Sequence, residues 1–152
     1  MKPIYSLPLV AVLFLASCAP IQPHVITYRL NDTYPAARDK IAAYHRSQQR
    51  SFSLIQDQMV PNVEEVSPGQ KCSFSLSRRA PDIGTRSLHH SVLSKAGQGA
   101  VYEVTEDERP ETLTLPALLK LNPPPHVQRL DTWVRSNLSV QRYTETGGTP
   151  KK

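Results

Sequence analysis

Few side chains in this 152-residue sequence have the type and spacing that a reaction needs. Five histidines are present, and only His89 and His90 are adjacent. Neighbouring residues of a strand point to opposite faces, so this pair does not have the spacing of two metal ligands. We expect His89 and His90 to lie in a solvated loop, and the sequence predicts no metal site.

Other catalytic patterns are also missing from the sequence. Asp107 and Glu108 stand in an acidic cluster that ends at Pro110, a composition typical of a solvated hairpin. No serine stands in a G-x-S-x-G or S-x-x-K context, and no glycine-rich loop suits a phosphate group. We therefore expect a protein that is not an enzyme and that carries no cofactor.

The two cysteines, Cys18 and Cys72, stand in different surroundings. Leu7 to Leu15 is apolar apart from Pro8, follows the positively charged Lys2, and precedes two small residues. This order is typical of a secretory signal, and the apolar run is shorter than the roughly 20 residues of a membrane span. Cys18 directly follows the two small residues.

The residues Leu15-Ala16-Ser17-Cys18 resemble the bacterial lipobox, in which an aliphatic and two small residues precede a cysteine. The resemblance implies a diacylglycerol on the Cys18 thiol, cleavage after residue 17 and acylation of the new amine. Several acyl chains hold a protein firmly at a bilayer, where one chain does not. Ala19 follows the cysteine, which in such lipoproteins implies the outer membrane, with the domain in the periplasm. A plain signal peptide with a chance cysteine is the alternative.

Charge and proline content limit the remaining classes. Lys and Arg number 18 against 13 Asp and Glu, a formal net charge of +5 that is spread along the chain. This excess favours contact with anionic lipid or an acidic protein surface. Since no basic block interleaves with aromatic residues, we expect no nucleic-acid partner. Fourteen prolines argue against long uninterrupted elements.

Periodicity predicts the elements that would position these residues. β-Branched and aromatic residues favour a strand over Val25 to Leu30. Alternation favours strands over Lys71 to Arg78 and Ala100 to Glu106, with Cys72 a buried small side chain beside Phe74. Apolar residues at three- and four-residue steps predict two helices. The predicted helices cover Tyr34 to Gln49 and His126 to Asn137, the predicted closing strand covers Leu138 to Thr144, and residues 60–70 and 80–99 are expected to be loop or irregular.

This mixed order predicts an α+β fold, a small two-layer sandwich with helices on one face of a mainly antiparallel sheet. We expect a signal peptide over residues 1–17, a lipidated tether over 18–24, the domain over 25–145 and a disordered tail over 146–152. The last helix presents Val127, Leu130 and Val134 to the sheet, with Trp133 at the border. Trp133 is the candidate interface residue.

The run T-L-T-L-P-A-L-L-K-L-N, the helix after it and L-S-V-Q-R-Y resemble the N-terminal ring-building domains of secretins and related secretion lipoproteins. The resemblance implies a structural or assembly component of an envelope-spanning secretion or conjugation machine, with other envelope proteins as partners and homo-oligomers among the expected states. The alternative is a carrier for a lipid, glycan or peptidoglycan fragment. Its pocket would be lined by five aromatic residues, Tyr34, Tyr44, Phe52, Phe74 and Trp133.

Overall fold

The computed structural model describes residues 23–52, 57–81, 84–106 and 125–147. Seven strands and two helices follow one another in these ranges. In chain order they are β1 (Val25–Leu30), α1 (Tyr34–Ser47), β2 (Arg50–Phe52), β3 (Asp57–Ser67), β4 (Lys71–Ala80), β5 (Gly84–Ala96), β6 (Gly99–Glu106), α2 (Pro125–Asn137) and β7 (Val140–Thr146). The expected α+β class is confirmed, since the strands form a mainly antiparallel sheet beside two helices.

All seven strands belong to one sheet in the order β2-β3-β4-β5-β6-β1-β7, and every neighbouring pair runs antiparallel. β1 lies between β6 and β7, because the chain returns from the hairpins to pair with its first strand. The starts of β1, β3 and β5 therefore share one end of the sheet with the ends of β4, β6 and β7. We call this the β1-start end.

Alternate strand residues are buried on one face of the sheet, which we call the core face. Directly paired residues of antiparallel strands lie on the same face, and the pairs Tyr28↔Tyr102, Tyr102↔Leu93 and Leu93↔Cys72 cross four strands. The buried residues of both helices join these side chains in one hydrophobic cluster. From α1 they are Tyr34, Ala37, Ile41 and Ala42, and from α2 and its end Val127, Leu130, Val134 and Leu138.

α1 begins at the predicted residue, Tyr34, and its first turn has no side-chain cap from Thr33. Thr33 occupies the cap position with extended backbone and makes no capping hydrogen bond, and Pro35 lies in the first turn. The Asp32 carboxylate instead accepts hydrogen bonds from the Ser139 backbone N–H and the Lys40 ammonium. Asp32 thus ties the β1–α1 turn to the α2–β7 turn.

The two segments expected to be loop or irregular are largely strand, and both expectations are wrong. Residues 60–67 lie in β3, despite Pro61, and residues 84–96 form β5. The register of β4 against β5 shifts between Leu76 and Ser77, because His89 opposes Leu76 while Ser87 opposes Ser77. Leu88 is the extra residue of this bulge. The expected acidic hairpin around Asp107 lies outside the described residues.

Candidate interaction surface

Trp133, the candidate interface residue, lies on α2 and packs against α1. Its ring centroid is 4.5 Å from that of Tyr44, with the two planes tilted by 31°. Both rings are half-buried and lie against the hydrophobic core without being enclosed by it. Val127, Leu130 and Val134 are buried in the core, as the sequence predicts. The Tyr44–Trp133 pair therefore joins the two helices at their solvent side.

An open depression follows the solvent side of α2 around Trp133. Its lining comes from successive turns of this one helix: Gln128, Arg129, Thr132, Trp133, Ser136 and Asn137. Two of the five aromatics expected in a ligand pocket, Tyr34 and Phe74, are instead fully buried in the core. Tyr44 and Trp133 pack on each other, and the Phe52 side chain lies outside what the structure describes.

Two arginines, Arg129 and Arg50, act on the Tyr44 hydroxyl. Burial raises the pKa of the Tyr44 hydroxyl, and the positive charges of Arg129 and Arg50 act against this rise. These two guanidinium groups therefore lie close enough to the Tyr44 hydroxyl to affect it electrostatically. Arg129 belongs to α2 and Arg50 opens β2, directly after the end of α1.

Arg50 also begins a row of side chains that crosses four strands. Arg50 pairs with Met59, Met59 with Arg78, and Arg78 with Arg86. Because directly paired residues share a face, all four side chains lie on one face of the sheet, about 5 Å apart from strand to strand. We call Arg50, Met59, Arg78 and Arg86 the arginine row.

The arginine row lies on a part of the sheet that extends beyond the other strands. β6 ends at Glu106, which is near His89 in the register, whereas β5 starts five residues earlier at Gly84. Because Leu88 is the extra residue of the bulge, this part of the sheet is as long as the four β4 residues after Leu76, or about 13 Å. Residues 77–80 and 84–88, which we call the arm, therefore project past the β1-start end.

Two histidines that are 44 positions apart in the sequence, His45 of α1 and His89 of β5, meet between the helix and the sheet. The ring centroids of His45 and His89 are 5.7 Å apart, and the rings meet edge to face. His45 Nδ1 lies 3.0 Å from the Ile41 carbonyl oxygen, whereas His45 Nε2 is buried without a hydrogen-bond partner. Burial lowers the pKa of His45 to about 4, although the hydrogen bond to Ile41 works in the opposite direction. The expectation that His89 lies in a solvated loop is wrong, because it is buried in β5.

A polar network holds the β1-start end of the other strands. His24 Nε2 lies 2.5 Å from a carboxylate oxygen of Glu145, and His24 Nδ1 lies 3.7 Å from one of Glu106. The Tyr143 hydroxyl donates to Glu145 over 2.7 Å. The Arg135 guanidinium stands 4.3 Å above the Tyr143 ring. The arrangement ties the ends of β1, β6 and β7 together.

The described residues contain no group of three or more His, Cys, Asp or Glu side chains arranged to hold a metal ion. In the same part of the chain, no helix has both the length and the apolar character of a membrane span. Cys72 is a free thiol, buried on the core face as expected, and burial raises its pKa. Cys18 lies outside the described residues.

The sequence predicts Trp133 at the border of the last helix, but it does not predict that arginines from other elements lie nearby. Arg50, Arg78 and Arg86 are separated by 28 and 8 positions, and only the register of four strands brings them into one row. The adjacent Arg78 and Arg79, at the end of the predicted strand Lys71 to Arg78, are the local signal for this row in the sequence. No family model, no curated protein and no solved structure matches this chain.

Proposed function

We propose that this chain is a lipoprotein of the bacterial outer membrane, anchored by acyl chains on Cys18, with its folded domain in the periplasm. The observation that carries the anchor is the run Leu15-Ala16-Ser17-Cys18. The position of the second cysteine supports it. Cys72 is buried in the core, so the fold leaves Cys18 without a disulfide partner among the described residues.

The domain acts as a non-catalytic structural or assembly component of an envelope-spanning machine, such as a secretion or conjugation system. The Tyr44–Trp133 pair supports a role in protein contact. Tryptophan, tyrosine and arginine are the residues most enriched at interface hot spots. Here a half-buried tryptophan and tyrosine from two helices pack against each other, with Arg129 beside them.

The domain carrying this surface is a two-layer sandwich, with α1 and α2 side by side on the core face. Three facts support the arrangement. The buried residues of both helices belong to one cluster with the core-face residues of the sheet. Tyr44 of α1 contacts Trp133 of α2, and the hydroxyl of Tyr28 in β1 donates to Asp131 of α2 over 2.6 Å.

The anchor is tested by acyl labelling of the full chain in a bacterial host. The unsubstituted chain should incorporate a labelled fatty acid and sediment with the outer membrane. Cys18→Ser should lose both properties, while Cys72→Ser should keep them. Labelling that persists in Cys18→Ser, or a chain that is never labelled, would refute the anchor.

The assembly role is tested by placing a photo-crosslinking amino acid at residue 133 in cells. Crosslinks to one envelope protein should form there and be absent at residue 66, where Val66 is an exposed apolar residue on a different part of the domain. Trp133→Ala should abolish co-purification of the same protein. We expect it to lower the free energy of unfolding by only about 1–2 kcal/mol, less than the 3–5 kcal/mol of a fully buried tryptophan. Crosslinking that is equal at both positions would contradict the role.

A further inference from the structure

We propose that β7 is the interface through which two copies of this chain pair edge to edge, into a dimer with one continuous sheet. In this pair Tyr143 lies opposite the Tyr143 of the second copy, on the symmetry axis. The inference concerns a different surface from Trp133, and it does not depend on the lipid anchor. Three features of β7 support it: its exposure, the row of tyrosines that ends on it, and the distribution of its charges.

β7 is an edge strand of the described sheet. It pairs with β1 on one side and stands last in the strand order. Its seven residues, Val140–Thr146, include no proline, and five of them have exposed side chains. Proteins commonly protect exposed edges with prolines, bulges or short strands. The register shift beside Leu30 affects only the start of β7, so residues 142–146 form a regular edge that can accept another strand.

A row of tyrosine rings crosses the sheet and ends at this edge. Tyr102 pairs with Tyr28, and Tyr28 pairs with Tyr143, so the three side chains lie on the core face. The ring centroids are 6.1 Å apart for Tyr28 and Tyr102, and 5.6 Å apart for Tyr28 and Tyr143. Tyr28 and Tyr102 are fully buried, whereas Tyr143 is half-buried. A second Tyr143 continues the row and covers this ring, and aromatic pairs across strands stabilise a sheet.

Symmetry limits the registers in which two β7 strands can pair. An axis perpendicular to the sheet makes the strands antiparallel and keeps both core faces on the same side, so that one residue lies opposite its own copy. An axis at Arg142 or at Glu145 would oppose like charges, which destabilises a sheet. An axis at Thr144 would place Tyr143 opposite Glu145 instead of another ring. The axis at Tyr143 avoids both faults, and Arg142 then faces the Thr144 of the other copy.

The charged groups of α2 beside Tyr143 are already paired within each copy. The Arg135 guanidinium stands 4.3 Å above the Tyr143 ring and donates to both carboxylate oxygens of Asp131 over 3.0 Å. Glu145 accepts a hydrogen bond from the Tyr143 hydroxyl over 2.7 Å. Two copies that meet at Tyr143 therefore do not bury Arg135 or Asp131 without its partner, which would be costly.

Arg142 provides a test of the register. It lies opposite Arg29 on the face of the sheet away from the core, and neither arginine forms an ion pair with a described residue. In the proposed dimer each Arg142 has the Thr144 of the other copy directly opposite, about 5 Å away. The two Arg142 residues lie diagonally, about 7–8 Å apart. Their repulsion opposes pairing at low ionic strength and is screened by salt.

The experiment measures the association of the full chain carrying Cys18→Ser by sedimentation velocity. A contact of one strand pair is small for a specific interface, so we expect a dissociation constant of roughly 10–100 µM. Thr144→Glu should tighten the dimer about fivefold, because two new pairs with Arg142 form in each dimer, and Thr144→Arg should weaken it about fivefold. Thr144→Gln is the matched neutral control and should stay within about twofold of the parent. Added salt should tighten the parent dimer and loosen the Thr144→Glu dimer.

Disulfide formation locates the axis. In the Cys18→Ser/Cys72→Ser chain, Tyr143→Cys places two thiols directly opposite each other. The Cα atoms of two Thr144→Cys residues lie about 8 Å apart, which is farther than a disulfide spans. Under mild oxidation, Tyr143→Cys should form a linked dimer at least about tenfold faster than Thr144→Cys. If Tyr143→Cys does not melt like its parent, because it loses the ring packed on Tyr28, the Thr144 charge series decides the register.

Three results would overturn the inference. They are a parent chain that stays monomeric well above the expected dissociation constant, equal effects of Thr144→Glu and Thr144→Arg, and a Thr144→Cys chain that crosslinks as fast as Tyr143→Cys. The first result would leave the β7 edge to a strand from another protein. Because the tested chains lack the Cys18 thiol and keep Trp133, failure of the anchor or of the Trp133 contact appears only in the experiments on those residues.

Discussion

Acid should destabilise the fold through His45, and replacing this residue should remove most of the effect. His45 is fully buried, and its pKa falls to about 4 from an ordinary value of 6.5. The unfolded chain therefore binds a proton at a pH where the folded chain does not. Linkage then requires that stability be complete above about pH 6.5 and decline as the pH falls towards 4.

The size of the decline follows from the two pKa values. A group with pKa 6.5 unfolded and about 4 folded favours the unfolded state by about 2 kcal/mol at pH 5 and about 3 kcal/mol at pH 4, against almost nothing at pH 7. The loss is a large part of the 5–15 kcal/mol by which typical domains are stable.

The Asp32 carboxyl affects the stability of the fold at a lower pH than His45 does. Burial alone would raise its pKa, but hydrogen bonds from Ser139 and Lys40 leave it below its ordinary value, so its contribution is lost only below about pH 4.

The assay is urea unfolding of the Cys18→Ser chain at several pH values between 7 and 4, followed by far-UV circular dichroism. His45→Leu should leave stability at pH 7 within about 1 kcal/mol, because it removes the hydrogen bond to Ile41 but also a buried nitrogen without a partner. It should reduce the loss between pH 7 and 4 by about 3 kcal/mol. His45→Gln, which is polar but does not titrate, should flatten the profile equally. A variant whose stability falls with pH as steeply as the parent's would refute the assignment.

Three further predictions concern the core and the helix contacts. Tyr28→Phe removes the hydroxyl that donates to Asp131 over 2.6 Å and should cost about 1–2 kcal/mol in urea unfolding, whereas a change below 0.3 kcal/mol would mean that the bond contributes little to stability. Cys72, the only thiol in the Cys18→Ser chain, should react with a thiol reagent slowly when folded and quickly in concentrated urea; fast labelling of the native protein would place it at the surface. Gly99→Ala should cost at least about 1–3 kcal/mol, because the added carbon would collide with the Leu30 carbonyl oxygen of the neighbouring strand, and an unchanged melting temperature would contradict that close approach.

Local sequence patterns predict a helix or strand correctly where its buried residues recur at one constant spacing along the whole element. β1 matches its predicted bounds, α1 ends two residues before the predicted end at Gln49, and Cys72 and Phe74 are buried on the predicted face. Such features depend on neighbours three or four residues away, or two in a strand, which a single sequence displays.

The sequence did not predict strands β3 and β5, and the structure gives a physical reason for each. β5 does not alternate, because the bulge at Leu88 buries two consecutive residues, Leu88 and His89. β3 contains Pro61, which usually excludes a central strand. However, β2 pairs only with residues 57–59 of β3, so among the described strands β3 is an edge at Pro61, which is where a sheet tolerates proline. The arginine row and the His45–His89 contact depend on pairings that no local pattern encodes.

The two borders of the sheet differ in their capacity to accept another strand. On one side, the described part of the chain ends the sheet with the three residues of β2, and Pro61 withholds a donor just beyond them. On the other side, β7 presents seven consecutive residues without a proline, nearly all exposed. If copies of this chain joined strand to strand, β7 would therefore be the favoured border among the described residues. Two chains that join through the same border form a pair with twofold symmetry, in which the β7 strands of the two copies pair with each other. Growth by this route would end at two copies, because the other border of the described sheet offers only the short β2.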